Sequence, residues 1–286
     1  MENVEPMEIG LVFWAEESAG ATLQQLRSFG LQSGQLGVPP TLDCGKVLDD
    51  WKSELAISGV NVTGAVCSYA GEDYSTLARV HESVGFTTSL YRAERIARTR
   101  EIAAFAHALG IYAVSCHIGF IPADPQEVLY AELVELTRVL CDACAEHKQN
   151  FVLETGQEAA TVLLSFIADV SRTNLKVNFD PANMILYGSG DPTEALALLQ
   201  EHVLSVHCKD GQSPVPGSGL LGSECALGDG EVDFPAFLGQ LKRMGYTGSL
   251  AIEREEPNLQ QKLKDIQTAI GRLKEWKADA GLYVSS

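Results

Sequence analysis

The chain has 286 residues, 21 of them Lys or Arg and 38 Asp or Glu, for a formal net charge of −17. That length buries a large core without disulfide staples and suits a closed barrel of roughly 250 residues. The acidity speaks against phosphate-backbone binding, which relies on clustered Lys and Arg releasing counterions, so nucleic acid is not an expected partner.

The seven cysteines are an odd number, and Glu2, Glu5 and Glu8 open the chain with no basic residue, the reverse of a signal-peptide start. A reducing, cytoplasmic setting is expected. Ile102 to Ala123 runs for 22 positions without an acidic residue, Lys or Arg. Gly110, His117, Gly119 and Pro122 interrupt it, so it reads as a helix end, a turn and a strand, and no membrane span is expected.

In chain order, strands are predicted at Glu8–Phe13, Leu31–Leu36, Val62–Cys67, Tyr112–His117, Phe151–Glu154, Leu175–Asp180, Val203–Cys208 and Ser249–Arg254. Helical patterns lie near Asp43–Ile57, Tyr91–Leu109, Glu127–His147, Glu158–Ser171, Pro192–Glu201, Asp233–Met244 and Leu259–Lys274. The first two units are the least regular, and Gly34, Gly37, Pro39 and Pro40 suggest a loop-rich second unit. Gly110 and Gly245 sit where a left-handed residue ends a helix. Asp191 before Pro192 fits a helix start, and Asp233 with Pro235 a similar one. Strand and helix alternating through eight units predict an α/β fold, a (β/α)8 TIM barrel, in one domain spanning 1–286. The stretch 210–231 is long and rich in Gly, Ser and Pro, and reads as a loop over the C-terminal face, either a lid or a mobile segment.

The candidate chemistry lies at the ends of the last strands. Side chains alternate between faces of a strand, so Glu154 shares a face with Val152, Asp180 with Asn178, His207 with Ser205 and Glu253 with Ala251. Glu154, Asp180, His207 and Glu253 thus close four consecutive strands, each aimed at the barrel axis. Three carboxylates and an imidazole brought together repel and lose solvation unless a divalent cation compensates. Such a mostly oxygen donor set suits Mn²⁺ or Mg²⁺, with Co²⁺ and Zn²⁺ left open. Cys116 and Cys208 should face the helix layer, as should Arg254. The lone Cys141–Cys144 pair reads as core.

These stretches carry a resemblance. Leu153-Glu154-Thr155-Gly156-Gln157-Glu158, Asn178-Phe179-Asp180-Pro181-Ala182-Asn183, Val206-His207-Cys208-Lys209-Asp210 and Ile252-Glu253-Arg254-Glu255 resemble the xylose isomerase-like TIM-barrel superfamily, in its sugar phosphate isomerase/epimerase branch. Gly228-Asp229-Gly230-Glu231-Val232-Asp233 and Gly245-Tyr246-Thr247-Gly248 resemble its closing unit, while the first hundred residues match loosely. The resemblance implies one divalent metal ion on Glu154, Asp180, His207 and Glu253, with Glu154 and Glu253 exchanging a carbon-bound proton of a ketose. It implies a substrate contact from His117 and draws Asn183 into the same role. By alternation Lys209 and Glu255 lie on the side of His207 and Glu253, where Lys209 either holds a substrate oxygen or pairs with the acidic rim, and Gln157 is expected to reach the substrate from the fifth loop. Asn183 departs from the histidine that some sugar epimerases carry three residues after the aspartate. It also makes a homo-oligomer plausible. No Lys or Arg lies between Asp210 and Leu241, which points to an unphosphorylated sugar or polyol. A dehydratase or lyase acting on a keto-inositol or keto-glycoside shares the ligand set. A DNA-repair endonuclease of the same superfamily needs more histidines than the six present. A non-catalytic sugar-binding or subunit-partner barrel is the remaining reading.

Overall fold

The computed structural model describes residues 6–282. The first half contains β1 (Ile9–Trp14), α1 (Ala19–Ser28), β2 (Ser33–Val38), α2 (Cys44–Ser58), β3 (Asn61–Cys67), α3 (Leu77–Ser83), α4 (Ser89–Ala108), β4 (Ala113–Cys116) and α5 (Val128–Glu146). The second half contains β5 (Asn150–Glu154), α6 (Ala160–Val170), β6 (Leu175–Phe179), α7 (Pro181–Tyr187), α8 (Pro192–Leu199) and β7 (Val203–Cys208). It ends with β8 (Asp210–Gln212), β9 (Ser223–Cys225), α9 (Phe234–Arg243), β10 (Leu250–Ile252) and α10 (Leu259–Asp279).

Eight strands close into a parallel barrel in the order β1-β10-β7-β6-β5-β4-β3-β2, with β2 returning to β1. This is a (β/α)8 TIM barrel. The two remaining strands, β8 and β9, pair antiparallel as a separate ribbon. No helix among the described residues is long and apolar enough to cross a membrane.

Helix ends follow the local chemistry. The Asp191 carboxylate accepts hydrogen bonds from the Thr193 and Glu194 amides, and Asp233 accepts one from Ala236. Gly110 and Gly245 take φ of 79° and 73° one residue past the caps of α4 and α9. Five elements lie outside the predicted set: α1, α3, α7 and the two ribbon strands, β8 and β9. Helix α1 buries Ala19, Thr22, Leu23 and Leu26, a correctly spaced face built half of small residues.

The second unit is less loop-rich than its glycines suggest. Gly34 and Gly37 both lie inside β2, whose six residues are all buried. A Cβ on Gly34 would stand 2.2 Å from the Leu11 carbonyl oxygen, and one on Gly37 would stand 2.6 Å from the Trp14 ring. These glycines let the β1 side chains and backbone close onto β2. Backbone crowding predicts that Gly34→Ala destabilises the protein by about 2–3 kcal/mol, seen as a lower urea midpoint. Gly271→Ala, in α10 with no atom within 4 Å of the added carbon, is expected to stabilise by about 0.5–1 kcal/mol.

Candidate metal centre

Glu154 ends β5, Asp180 caps α7 directly after β6, His207 is the penultimate residue of β7 and Glu253 follows β10. One ligand atom from each lies within 4.8 Å of all the others. His207 Nδ1 is 3.3 Å from Glu253 Oε2, 3.4 Å from Glu154 Oε1 and 3.7 Å from Asp180 Oδ2. Coordination near 2.1 Å sets neighbouring ligands about 3 Å apart and opposite ones about 4.2 Å apart, so this spacing fits one cation.

The imidazole is held from behind. His207 Nε2 lies 3.0 Å from Gln35 Oε1, whose own amide nitrogen donates to Asn178 Oδ1 at 3.3 Å. Ser205 Oγ donates to the same Asn178 oxygen at 2.6 Å. Because β2 is adjacent to neither β6 nor β7, these contacts cross the barrel interior, which fixes the inward direction of Gln35, Asn178 and His207. With Gln35 accepting at Nε2–H, the lone pair of Nδ1 faces the carboxylates. Gln35 was absent from the sequence-derived site. The alternation that found His207 also applies to β2, but Gly34 and Gly37 masked it.

Asp180 Oδ2 and His207 Nδ1 are buried without a hydrogen-bond partner among the described residues, and Glu253 Oε2 beside them is met by the Lys209 ammonium at 3.2 Å. Convergent buried acceptors left unsatisfied at one point are costly. Burial pushes Asp180 up, while His207 draws it back only in part. Burial also opposes ionisation of Glu253 and Glu154. Lys209 and His207 nevertheless hold Glu253 well below its usual range, and His117 and His207 hold Glu154 below its own. Burial disfavours a charged His207, yet the Glu253 and Glu154 carboxylates raise it well above its usual range. A proton on Nδ1 answers part of this field. A divalent cation satisfies all four groups, and the cluster could hold one.

The other predicted site residues divide. His117 Nε2 is 3.5 Å from Glu154 Oε1. Asn183 donates its side-chain amide to Glu154 Oε1 at 3.0 Å, and its backbone amide to Asp180 Oδ1 at 3.0 Å. Lys209 Nζ lies 3.2 Å from Glu253 Oε2 and 3.3 Å from Glu255 Oε1. All four line one cavity of about 610 Å³ with Glu154 and Glu253. Gln157 does not. The chain turns at Gly156, φ 146°, whose Cβ position is 2.5 Å from Asn183, and Gln157 is buried beside the Tyr187 hydroxyl.

The 210–231 stretch is tied down at many points. The Asp210 carboxylate accepts hydrogen bonds from the backbone amides of Gly211, Gly228, Gly230 and Val232. Arg254 turns away from the four ligands to pair with Glu224, Glu256 and Asp265 of α10. Gly222 donates to the Leu186 carbonyl at 2.8 Å. Leu220, Leu221 and Glu224 thereby become cavity walls. Cys116 and Cys208 are fully buried, and burial raises the thiols of Cys141 and Cys144 to about 12. None of these four is poised to be a thiolate.

A buried carboxylate–imidazole cluster that could hold a cation thus lies at the strand ends of a closed parallel barrel, where proteins of this architecture keep their active sites. The profile of the family described as xylose isomerase-like TIM barrel matches residues 23–276. The chain belongs to that family. A xylose isomerase domain protein from Planctomyces limnophilus shares 36% identity with TM-score 0.89, covering 96% of this chain and 99% of that one. The structure of an L-ribulose 3-epimerase shares the fold at 16% identity and TM-score 0.69, covering 95% of each chain. The rhizopine catabolism protein MocC of Rhizobium meliloti is 28% identical over 152 residues, 49% of this chain and 45% of that protein. The chain thus matches less than half the length of that curated relative.

Removing the acceptor behind the imidazole should loosen ion binding. Gln35→Leu is expected to weaken Mn²⁺ binding roughly 10–100-fold, measured by equilibrium dialysis. Affinity unchanged from the parent chain would show that Gln35 does not set the His207 donor atom.

Proposed function

We propose that the chain is a divalent-metal-dependent isomerase or epimerase of a ketose or related polyol, with Mn²⁺ as the preferred ion. Glu154, Asp180, His207 and Glu253 would hold the ion. When bound, it would polarise a substrate carbonyl and stabilise the enediolate that forms on loss of a proton. Support comes from two carboxylates, Glu154 and Glu253, meeting at one centre with separate partners: Asn183 and His117 on one side, Lys209 on the other.

That separation suits proton exchange. Lys209 and His207 keep Glu253 ionised, and His117 with His207 does the same for Glu154, so each is available as a base near neutral pH. One carboxylate takes the carbon-bound proton and the other returns a proton from the opposite face, which inverts the carbon. Return at the neighbouring carbon moves the carbonyl instead. Asn183 orients Glu154, while Glu255 and Lys209 are within reach of substrate hydroxyls.

A dehydratase or lyase acting on a keto-inositol or keto-glycoside is the second reading. It is favoured by His117, whose Nδ1 is buried without a partner among the described residues and whose Nε2 sits beside Glu154, placed to pass a proton to a departing hydroxyl. An unphosphorylated substrate fits the cavity, whose basic lining residues are His117 and Lys209, the latter already bound by two carboxylates. The unpaired thiols fit a reducing compartment, the cytoplasm in this reading. One domain spanning 1–286 fits a barrel whose closing pair joins β1 to β10.

Ketoses and keto-inositols incubated in D₂O with the Mn²⁺-loaded protein should gain deuterium at the carbon next to the carbonyl. Glu154→Gln and Glu253→Gln should each slow exchange by about 10²–10⁴-fold. Exchange at the parental rate in either variant overturns the acid–base assignment. Loss of water, seen as an enone chromophore, selects the second reading.

A further inference from the structure

We propose that the outer part of the cavity is a subsite for a neutral, apolar substituent of the substrate, an aryl or alkyl group joined to the reacting polyol. Its walls are Trp14, Tyr74 and Leu220. The inference deepens the proposed enolising function and rests on it for the position of the polyol.

Size gives the first argument. A six-carbon sugar fills on the order of 200 Å³ at protein packing density, whereas the cavity measures about 610 Å³. That volume lies in the range of sites that enclose drug-sized ligands. A bare sugar seated at Glu154 and Glu253 leaves the mouth unfilled.

The chemistry of the lining changes with depth. Among the lining residues Lys209 is 5% exposed and Glu154 6% exposed, so the floor is ionic and buried. Trp14 and Tyr74 are each 42% exposed and Leu220 is 57% exposed, although all three line the same cavity. Apolar side chains gathered at the mouth of a polar site mark a place for an apolar ligand group.

These walls are built in place. The Trp14 ring lies against Gly37, where an added Cβ would stand 2.6 Å from the indole, so the bare glycine leaves room for the ring against β2. The arms of the connection bearing Leu220 are fixed by the four amides on Asp210, by Ser213 donating to Glu231 and by Gly222 donating to Leu186. A fixed platform binds with little ordering cost.

Charge narrows the substituent. Glu72, Glu224 and Glu255 also line the cavity, and Lys209 is engaged by Glu253 and Glu255. A phosphate or carboxylate appendage would meet an acidic wall with no uncommitted ammonium. A neutral apolar group meets the indole and the leucine.

The test compares the methyl and phenyl β-glycosides of 3-keto-D-glucose by calorimetric titration of the Mn²⁺-loaded chain. The phenyl glycoside should bind at least tenfold more tightly, and Trp14→Ala and Leu220→Ser should each reduce that ratio below threefold. Leu220→Ser, at an exposed loop tip, remains a usable variant if Trp14→Ala fails to fold. Equal affinities in the parent chain, a ratio preserved in Leu220→Ser, or binding of neither glycoside overturns the subsite. A preserved ratio with dissociation of an oligomer in Leu220→Ser, by light scattering, assigns the apolar mouth to a second copy instead. A tenfold preference for phenyl without deuterium exchange in any substrate leaves the subsite standing and removes the enolising reading.

Discussion

The constraint on which the site depends is electrostatic. The barrel forces three carboxylates and one imidazole to converge, with Asp180 and His207 removed from solvent and the ligand atoms within 4.8 Å of one another. Mutual repulsion and lost hydration make that arrangement unfavourable by itself. Lys209, His117 and Asn183 relieve it from outside, by pairing with Glu253 and Glu154. At the centre, Asp180 Oδ2 and His207 Nδ1 stay without a hydrogen-bond partner among the described residues. A dication is the group that meets both together.

The rest of the interior keeps that centre aimed. Gln35, Asn178 and Ser205 form a polar chain across the barrel that fixes the orientation of His207, joining β2, β6 and β7. The second unit of the barrel therefore contributes to a site whose ligands all come from the second half of the chain. Outside the barrel, Asp210 and Arg254 anchor the ribbon and its connection, so the cavity walls are set by hydrogen bonds and ion pairs in place of a free lid.

Much of this was legible in the sequence because strand geometry is rigid. Alternation in β5, β6, β7 and the strand before Glu253 placed the four ligand candidates on the inner face, and the structure brings them together. What stayed hidden depends on contacts between distant segments. Gln35 gains meaning only when β2 and β7 face each other across the interior. Helix α1 was obscured because Ala19 and Thr22 fill half of its inner face, and the turn at Gly156 that carries Gln157 to the Tyr187 hydroxyl depends on packing against Asn183. The ribbon joins short segments separated by the loop tip, with no hydrophobic alternation to announce it.

The central claim is that these four side chains form one cation site, and anomalous X-ray scattering at the manganese edge tests it most directly. Crystals grown with Mn²⁺ should show one strong peak per chain, within about 2.0–2.4 Å of ligand atoms from Glu154, Asp180, His207 and Glu253. A crystal with no peak at that point, and with the Lys209 ammonium or a protonated His207 neutralising the carboxylates instead, would contradict it.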